Sequence, residues 1–276
     1  MAAAARLILL TGATGFVGRQ VHQALIARGA LVRAVIREGS EFRLTTATES
    51  IVTTPDLFAK QSAWWSQACS GVDTVVHVAW YAEPGAYLHS PKNEACLAGT
   101  LRLARGAITA GVRRVVGIGT CFEYDVSAGL LTTRTPLSPQ TPYASAKASA
   151  FRALSELLPS HAVGFAWCRL FYLYGDGENE RRLVPYLRER LARGEPAELS
   201  SGTQIRDFLD VREAGGIIAD AALGTAEGPI NICSGVPVTV RELAESIADD
   251  YGRRDLLRFG ARPDNAFDPP RVVGLR

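Results

Sequence analysis

RLILLTGATGFVG, residues 6–18, sets a short apolar run against a glycine-rich turn. Gly12, Gly15 and Gly18 stand as GxxGxxG. The residues that follow carry apolar Val17, Val21, Leu25 and Ile26 at helical spacing, and Gly29 ends the pattern. Leu31–Ile36 is a second apolar run rich in β-branched residues. Strand, turn, helix and strand make a βαβ unit. Glycines in such a turn allow a tight bend and close approach of backbone N–H groups to a pyrophosphate, and the positive end of the helix favours the anion. The same glycines also suit a purely structural βα turn. Their place between strand and helix favours the phosphate-binding reading.

The rest of the chain repeats the alternation. Short strands are expected near Ile51–Thr53, Gly71–Ala79, Val112–Gly119 and Val163–Leu170. Helices are expected near Phe58–Cys69, Asn93–Ala110 and Tyr143–Leu158, and residues 125–140 read as a loop. Uninterrupted apolar strands alternating with helices imply a parallel sheet covered on both faces. The expectation is an α/β, Rossmann-type doubly wound sheet over residues 1–175, with a small C-terminal substrate-binding lobe over 176–276. There the pattern predicts helices at Val184–Arg193, Asp210–Leu223 and Val240–Tyr251, the last capped by Thr239, and strands at Ala197–Leu199 and Pro229–Cys233. The strand near 229–233 is a candidate to return to the first domain. Phe259–Arg276 holds three prolines and no periodicity.

Composition narrows the function. A net charge of +2 gives no electrostatic reason to expect nucleic acid or an anionic membrane as partner. Five scattered cysteines without a CxxC or a Cys/His cluster argue against a disulfide framework or a metal site. The segment MAAAARLILLTG is too short for a spanning helix and poor as a secretory signal. A soluble cytoplasmic protein is expected.

Two places suggest chemistry. At the end of the second strand, where an NAD site usually offers a carboxylate, stand Arg37 and then Glu38. A guanidinium suits a 2′-phosphate, which favours NADP(H) over NAD. Arg37 as a solvated charge, or Glu38 bending back to a ribose, are the competing readings. Second, TPYASAK, residues 141–147, places Tyr143 and Lys147 one helical turn apart on one face. Chance alone would give about 0.1 such Tyr-xxx-Lys pairs, so position supplies the weight. A nearby ammonium and an oxidised nicotinamide would favour the phenolate, so that Tyr143 exchanges a proton with a substrate oxygen. The alternative is a half-buried Tyr beside a surface Lys. Thr120, at the end of the strand before this helix, offers a hydroxyl to a carbonyl under reduction.

Taken in order, TGATGFVG, Asp56-Leu57, GVDTVVHVA (71–79), Asn93 with Gly99-Thr100, GTCFEY (119–124), YASAK, RLFYLYG (169–175), RLVP (182–185), RDFLDV (206–211) and NICSG (231–235) resemble the extended short-chain dehydrogenase/reductase family in its nucleotide-sugar branch. The resemblance implies catalytic positions at Thr120, Tyr143 and Lys147. It implies cofactor positions at Gly12, Thr14, Gly15, Phe16, Val17, Gly18, Arg37, Asp56, Leu57, Ala79, Trp80, Tyr143, Lys147 and Phe171. It implies substrate positions at Trp80, Tyr81, Cys121, Phe122, Tyr172, Arg182, Val184 and Arg206, with a nucleotide-diphosphate sugar as substrate and no metal. Similar proteins pair the helices matching Asn93–Ala110 and Tyr143–Leu158 across a homodimer. They also continue past the stretch matching Pro269–Gly274 into a further helix, so either the lobe closes differently here or something else covers it.

Departures from the family pattern select among reactions. Dehydratases carry Asp-Glu directly after the catalytic Thr; here Cys121-Phe122 follow, and Glu123 is displaced by one residue. Bifunctional epimerase/reductases similar to GDP-fucose synthase place a cysteine where this chain has Phe122. Epimerases usually retain NAD tightly, whereas Arg37 suggests exchangeable NADPH. What remains is a reductase of an NDP-4-keto-6-deoxyhexose. A 4-epimerase or dehydratase on the same scaffold, a reductase of carbonyls without phosphates, and a non-catalytic NADP sensor are the alternatives. Arg182 and Arg206 weigh against the reductase of phosphate-free carbonyls, and an intact Thr-Tyr-Lys set against the sensor. Trp80 and Tyr81 either line a sugar or the nicotinamide, or simply close the core. Cys121, with no His nearby in sequence, reads as a small buried hydrophobe rather than a nucleophile.

Overall fold

The computed structural model describes residues 5–44, 46–265 and 268–276. The N-terminal reading of residues 1–4, and residues 266 and 267 of the proline-bearing tail, lie outside the described residues. The strands are β1 (Leu7–Thr11), β2 (Leu31–Arg37), β3 (Ser50–Thr54), β4 (Thr74–His77), β5 (Arg114–Thr120), β6 (Leu130–Leu131), β7 (Gly164–Leu170), β8 (Tyr172–Tyr174), β9 (Ala197–Glu198), β10 (Ile205–Asp210), β11 (Gly228–Ile232), β12 (Pro237–Thr239), β13 (Leu257–Arg258) and β14 (Arg271–Gly274). The helices are α1 (Phe16–Ala27), α2 (Ser62–Ala68), α3 (Lys92–Thr109), α4 (Pro142–Leu157), α5 (Leu183–Ala192), α6 (Val211–Leu223) and α7 (Val240–Asp250).

Seven parallel strands form the main sheet in the order β11-β7-β5-β4-β1-β2-β3. Successive residues of each strand face opposite layers, which is why the runs are apolar throughout. Ile8 and Leu10 join a core with Val21 and Leu25 of α1 and Ile218 of α6. Leu9 faces the other way, into a core with Trp65 of α2, Leu103 of α3 and Leu154 of α4. The strand order reverses between β1 and β4, so a crevice opens at their C-terminal ends, where doubly wound sheets bind ligands.

The second half of the chain is interleaved with the first. β11 is an edge strand of the main sheet, and α6 packs on α1 against one face of it. A smaller sheet in the order β12-β10-β14-β6, with β8 also paired to β10, lies beside it. Under it α5 and α7 share a core of Val184, Leu187, Leu191, Ala244 and Ile247. Thr239 caps α7 with a full capping box, accepting from Glu242 N while the Glu242 carboxylate accepts from Thr239 N.

Two sequence expectations are corrected here. Residues 125–140, expected as a loop, contain β6, and the proline-bearing tail contains β14. These strands are too short to show a period, and side-chain bonds that periodicity does not register help to hold them. Asp207, wholly buried in β10, accepts from Ser234 N (2.6 Å), Ser234 Oγ (2.7 Å), Gly235 N (2.9 Å) and Gly274 N (3.1 Å). One carboxylate thereby ties β10 and β14 to the segment leaving β11.

Candidate active site

The glycine turn lies at the crevice. Gly12 has φ +75, and a Cβ there would stand 2.8 Å from Ala79 N. A Cβ on Gly18 would come within 1.9 Å of Gly12 O, so neither position tolerates a side chain. At Gly15 a Cβ would meet only Gly12 O, at 3.4 Å, which leaves that face of the turn open. Gly15 gives α1 no side-chain cap, so its first N–H groups are left for an anion. Thr14, Phe16 and Val17 line the same turn, none of them fully buried. This cradle fits the pyrophosphate of a dinucleotide.

The turn is fastened to β4 by a buried chain that the sequence reading missed. Ala79 N donates to Thr11 Oγ1 (3.2 Å), and Thr11 Oγ1 lies 2.8 Å from His77 Nδ1. His77 Nε2 is 2.9 Å from Thr100 Oγ1, whose own hydrogen goes to Cys96 O at 2.8 Å. Thr100 therefore accepts from Nε2–H, and Nδ1 accepts from Thr11. Burial, helped by the Lys147 charge, lowers the His77 pKa to about 3, so the ring is neutral at physiological pH. Its only sequence signal is a histidine at the end of a short strand otherwise expected to be buried.

Arg37 ends β2, exposed, and its guanidinium makes no ion pair or side-chain hydrogen bond among the described residues. Asp56 caps the turn that begins at Leu57, its carboxylate accepting from Phe58 N at 2.8 Å.

Thr120 is the last residue of β5 and 6% exposed. Thr141 caps α4, accepting from Ala144 N (3.2 Å), and Pro142 opens the helix. Tyr143 follows, half-buried, with Tyr87 edge-on at 4.8 Å between ring centroids. Burial pushes the Tyr143 phenol well above its usual value, Tyr87 and Glu123 add to this, and a hydrogen bond with Thr120 offsets part. The expectation that a neighbouring ammonium softens this phenol does not hold for the protein alone, because desolvation outweighs it. Lys147 is 3% exposed, and its Nζ donates to Ile118 O at 2.6 Å. Burial lowers its pKa to about 7, with Glu123 and Cys96 acting in the opposite direction.

Glu123, one position from where a dehydratase keeps its acid, is fully buried and fully used. It accepts from Thr120 N (2.8 Å), from Trp167 Nε1 (3.0 and 3.1 Å) and from Arg169 Nε (2.8 Å). Arg169 Nη1 in turn donates to Tyr124 Oη (2.9 Å), and Tyr124 Oη donates to Asn231 Oδ1 (2.7 Å). The Asn231 amide reaches Leu131 O (3.0 Å) and Leu275 O (2.8 Å). Thus GTCFEY, RLF and NICSG meet as one polar joint under the C-terminal end of β5.

Two expected ligand residues lie inside this region. Cys121 and Phe171 are packed with Tyr124, Leu131, Cys233 and Val272. Cys121 is 2% exposed, and burial raises its thiol to about 12. Phe122 stays half-buried, edge-on to Tyr172. A cavity of about 190 Å³ in the lobe is lined by Tyr172, Arg182, Val184 and Arg206, together with Glu178 and Asp268, which the sequence reading did not single out. Arg206, 2% exposed, pairs with Asp268 at 2.7 Å. Tyr81 turns towards α3, with Lys92 Nζ 4.5 Å from its ring centroid.

Residues 8–233 match the model of the NAD dependent epimerase/dehydratase family. The chain is 24% identical over 272 residues to a dTDP-6-deoxy-L-talose 4-dehydrogenase (NAD(+)) of Aggregatibacter actinomycetemcomitans, covering 98% of this chain and 99% of that protein. It is 27% identical to a dTDP-6-deoxy-L-talose 4-dehydrogenase (NAD(P)(+)) of Kitasatospora kifunensis, over 91% of this chain and 80% of that one. Among solved structures, DesIV, a dTDP-glucose 4,6-dehydratase from Streptomyces venezuelae with NAD bound, superposes with a TM-score of 0.81 at 25% identity, over 97% of this chain and 87% of its own.

Proposed function

The chain belongs to the NAD dependent epimerase/dehydratase family, within the extended short-chain dehydrogenases/reductases, and from that premise we propose that it is an NADPH-dependent reductase of an NDP-4-keto-6-deoxyhexose. The observation that carries the reading is the state of the acids at the end of β5. Tyr143 is kept protonated beside Thr120, and the Glu123 carboxylate is spent on three donors. A phenol ready to give one proton, with no free carboxylate at the dehydratase position, suits reduction and not elimination of water.

When bound, the reduced nicotinamide supplies hydride to the keto carbon. Tyr143 gives its phenolic proton to the carbonyl oxygen, and Thr120 donates a hydrogen bond to that oxygen as charge develops. The Lys147 ammonium stabilises the phenolate left behind, which regains its proton from solvent. Arg37 holds a 2′-phosphate, with Asp56 and Leu57 at the adenosine end. Arg182 and Arg206 take the substrate diphosphate, with Tyr172 and Val184 beside it. The two dTDP-6-deoxy-L-talose 4-dehydrogenases support the sugar class, because 4-dehydrogenation and 4-keto reduction are one reaction in opposite directions. We place homodimer formation on α3 and α4, which lie side by side, and assign the protein to the cytoplasm; no helix among the described residues is long and apolar enough to cross a membrane.

The test is NADPH oxidation over TDP-, GDP- and CDP-4-keto-6-deoxyhexoses, with wild type against Tyr143→Phe. Turnover with one of these and a loss of about a hundredfold or more in Tyr143→Phe, cofactor binding kept, is expected. Interconversion of a nucleotide sugar without net NADPH consumption would establish an epimerase instead.

A further inference from the structure

Lys147 is a buried ammonium without a counter-ion. It is 3% exposed, gives one hydrogen bond to Ile118 O, and forms no ion pair among the described residues. The titratable groups around it are Glu123 from the turn after β5, Cys96 from α3, His77 from β4 and Tyr143 from its own helix. Glu123 is committed to Arg169, and burial holds His77, Cys96 and Tyr143 neutral. What lies against the ammonium is an indole. Nζ is 3.8 Å from the ring centroid of Trp80, with Trp167 farther off at 5.9 Å.

The Trp80 ring is fixed from several sides. Its N–H donates to Asn93 Oδ1 at 2.9 Å, and buried Asn93 donates to Tyr87 O (2.7 Å) and Ser90 O (2.9 Å). Phe58 and Tyr143 stand edge-on to it at 6.4 and 6.5 Å. The ring face carries negative charge density, and its attraction for a cation is greatest where water is excluded. We propose that Trp80 is a positioning residue for Lys147: its ring face takes the place of a counter-ion and holds the ammonium charged and in place one helical turn from Tyr143. Only the catalytic consequence rests on the reductase reading; the interaction itself belongs to the protein without cofactor or substrate.

The chain contains three lysines, so protein labelled with ¹³C at lysine Cε gives three resonances, and loss of one in Lys147→Met assigns it. In wild type the Lys147 signal titrates near pH 7. Trp80→Phe and Trp80→Met both lose the N–H and both leave part of the indole's space empty, but only the first keeps a ring face. The midpoint in Trp80→Phe stays within a few tenths of wild type. In Trp80→Met it falls by about one pH unit, a tenfold fall in the ratio of ammonium to amine at a given pH. Equal midpoints in the two variants overturn the proposal. Should Trp80→Met not fold, protein carrying mono-, di- and tetrafluorotryptophan keeps the shape while draining the ring face. The Lys147 midpoint must then step down with each fluorine set, and a flat series overturns the proposal. The catalytic counterpart is an alkaline limb of kcat/KM that moves to lower pH in Trp80→Met and not in Trp80→Phe. A protein inactive towards every keto sugar would remove the reductase reading, and the lysine titration alone would then decide the role of Trp80.

Discussion

Replacing Glu123 by Gln separates a structural role from a chemical one. The substitution keeps the shape of the side chain but turns one accepting oxygen into an NH₂ donor. Thr120 N and Trp167 Nε1 still find a carbonyl oxygen, whereas Arg169 Nε–H, 2.8 Å away, meets another donor. Arg169 and Glu123 side chains are 1% and 0% exposed, so the stranded guanidinium cannot turn to water. Removing one partner of a buried ion pair costs about 3–5 kcal/mol. For a chain of this size each kcal/mol moves the melting temperature by roughly 2–4 °C, so Tm falls by about 10 °C. Urea unfolding followed by tryptophan fluorescence measures it as a lower midpoint with an unchanged slope. A destabilisation under about 1 kcal/mol would refute the buried joint of Glu123 and Arg169. The kinetic arm is independent: assayed well below its Tm, Glu123→Gln keeps kcat within a fewfold of wild type. A thousandfold loss in folded protein would make Glu123 a proton donor and restore the dehydratase reading.

Other substitutions test the remaining parts. Arg37→Ala raises KM for NADPH by roughly ten- to a hundredfold and leaves KM for NADH nearly unchanged, measured by initial rates, because one charge-assisted contact to a phosphate is lost. Gly12→Ala abolishes dinucleotide binding in calorimetry, since its Cβ would press on Ala79 N from a left-handed backbone. Asp268→Asn frees Arg206 and tightens binding of UDP or dTDP by about fivefold or more in the same calorimeter, the carboxylate no longer competing with the diphosphate. Lys147 has a folded pKa depressed from 10.5 to about 7. The unfolded chain therefore binds the extra proton between those values, and stability from this group rises with pH from 7 to 10.5. Lys147→Met should accordingly raise Tm more at pH 7 than at pH 10.

The sequence is most informative where packing is apolar. Strands such as β4 and β5 are buried on both faces, so their burial is written as valine and isoleucine runs, and the glycine turn announces itself by residues that nothing else can replace. Tyr143 and Lys147 are legible because helix geometry alone puts them on one face. Legibility fails where polar residues do the packing. The strand β10 contains Arg206 and Asp207, both buried, which a hydropathy pattern reads as surface. Glu123 looks like a displaced catalytic acid until Arg169, far away in sequence, is seen to hold it. Trp80 and His77 draw their roles from partners on other elements, Asn93 and Lys147 for one, Thr11 and Thr100 for the other.

The position of β14 bears on how the molecule comes off the ribosome. The main sheet takes its final strand from Gly228–Ile232, while the smaller one has β14 wedged between β10 and β6. No nascent chain can complete the smaller sheet before Arg271–Gly274 has been translated. A stalled chain cut between these two strands is thus expected to bind dinucleotide while the smaller sheet is still open.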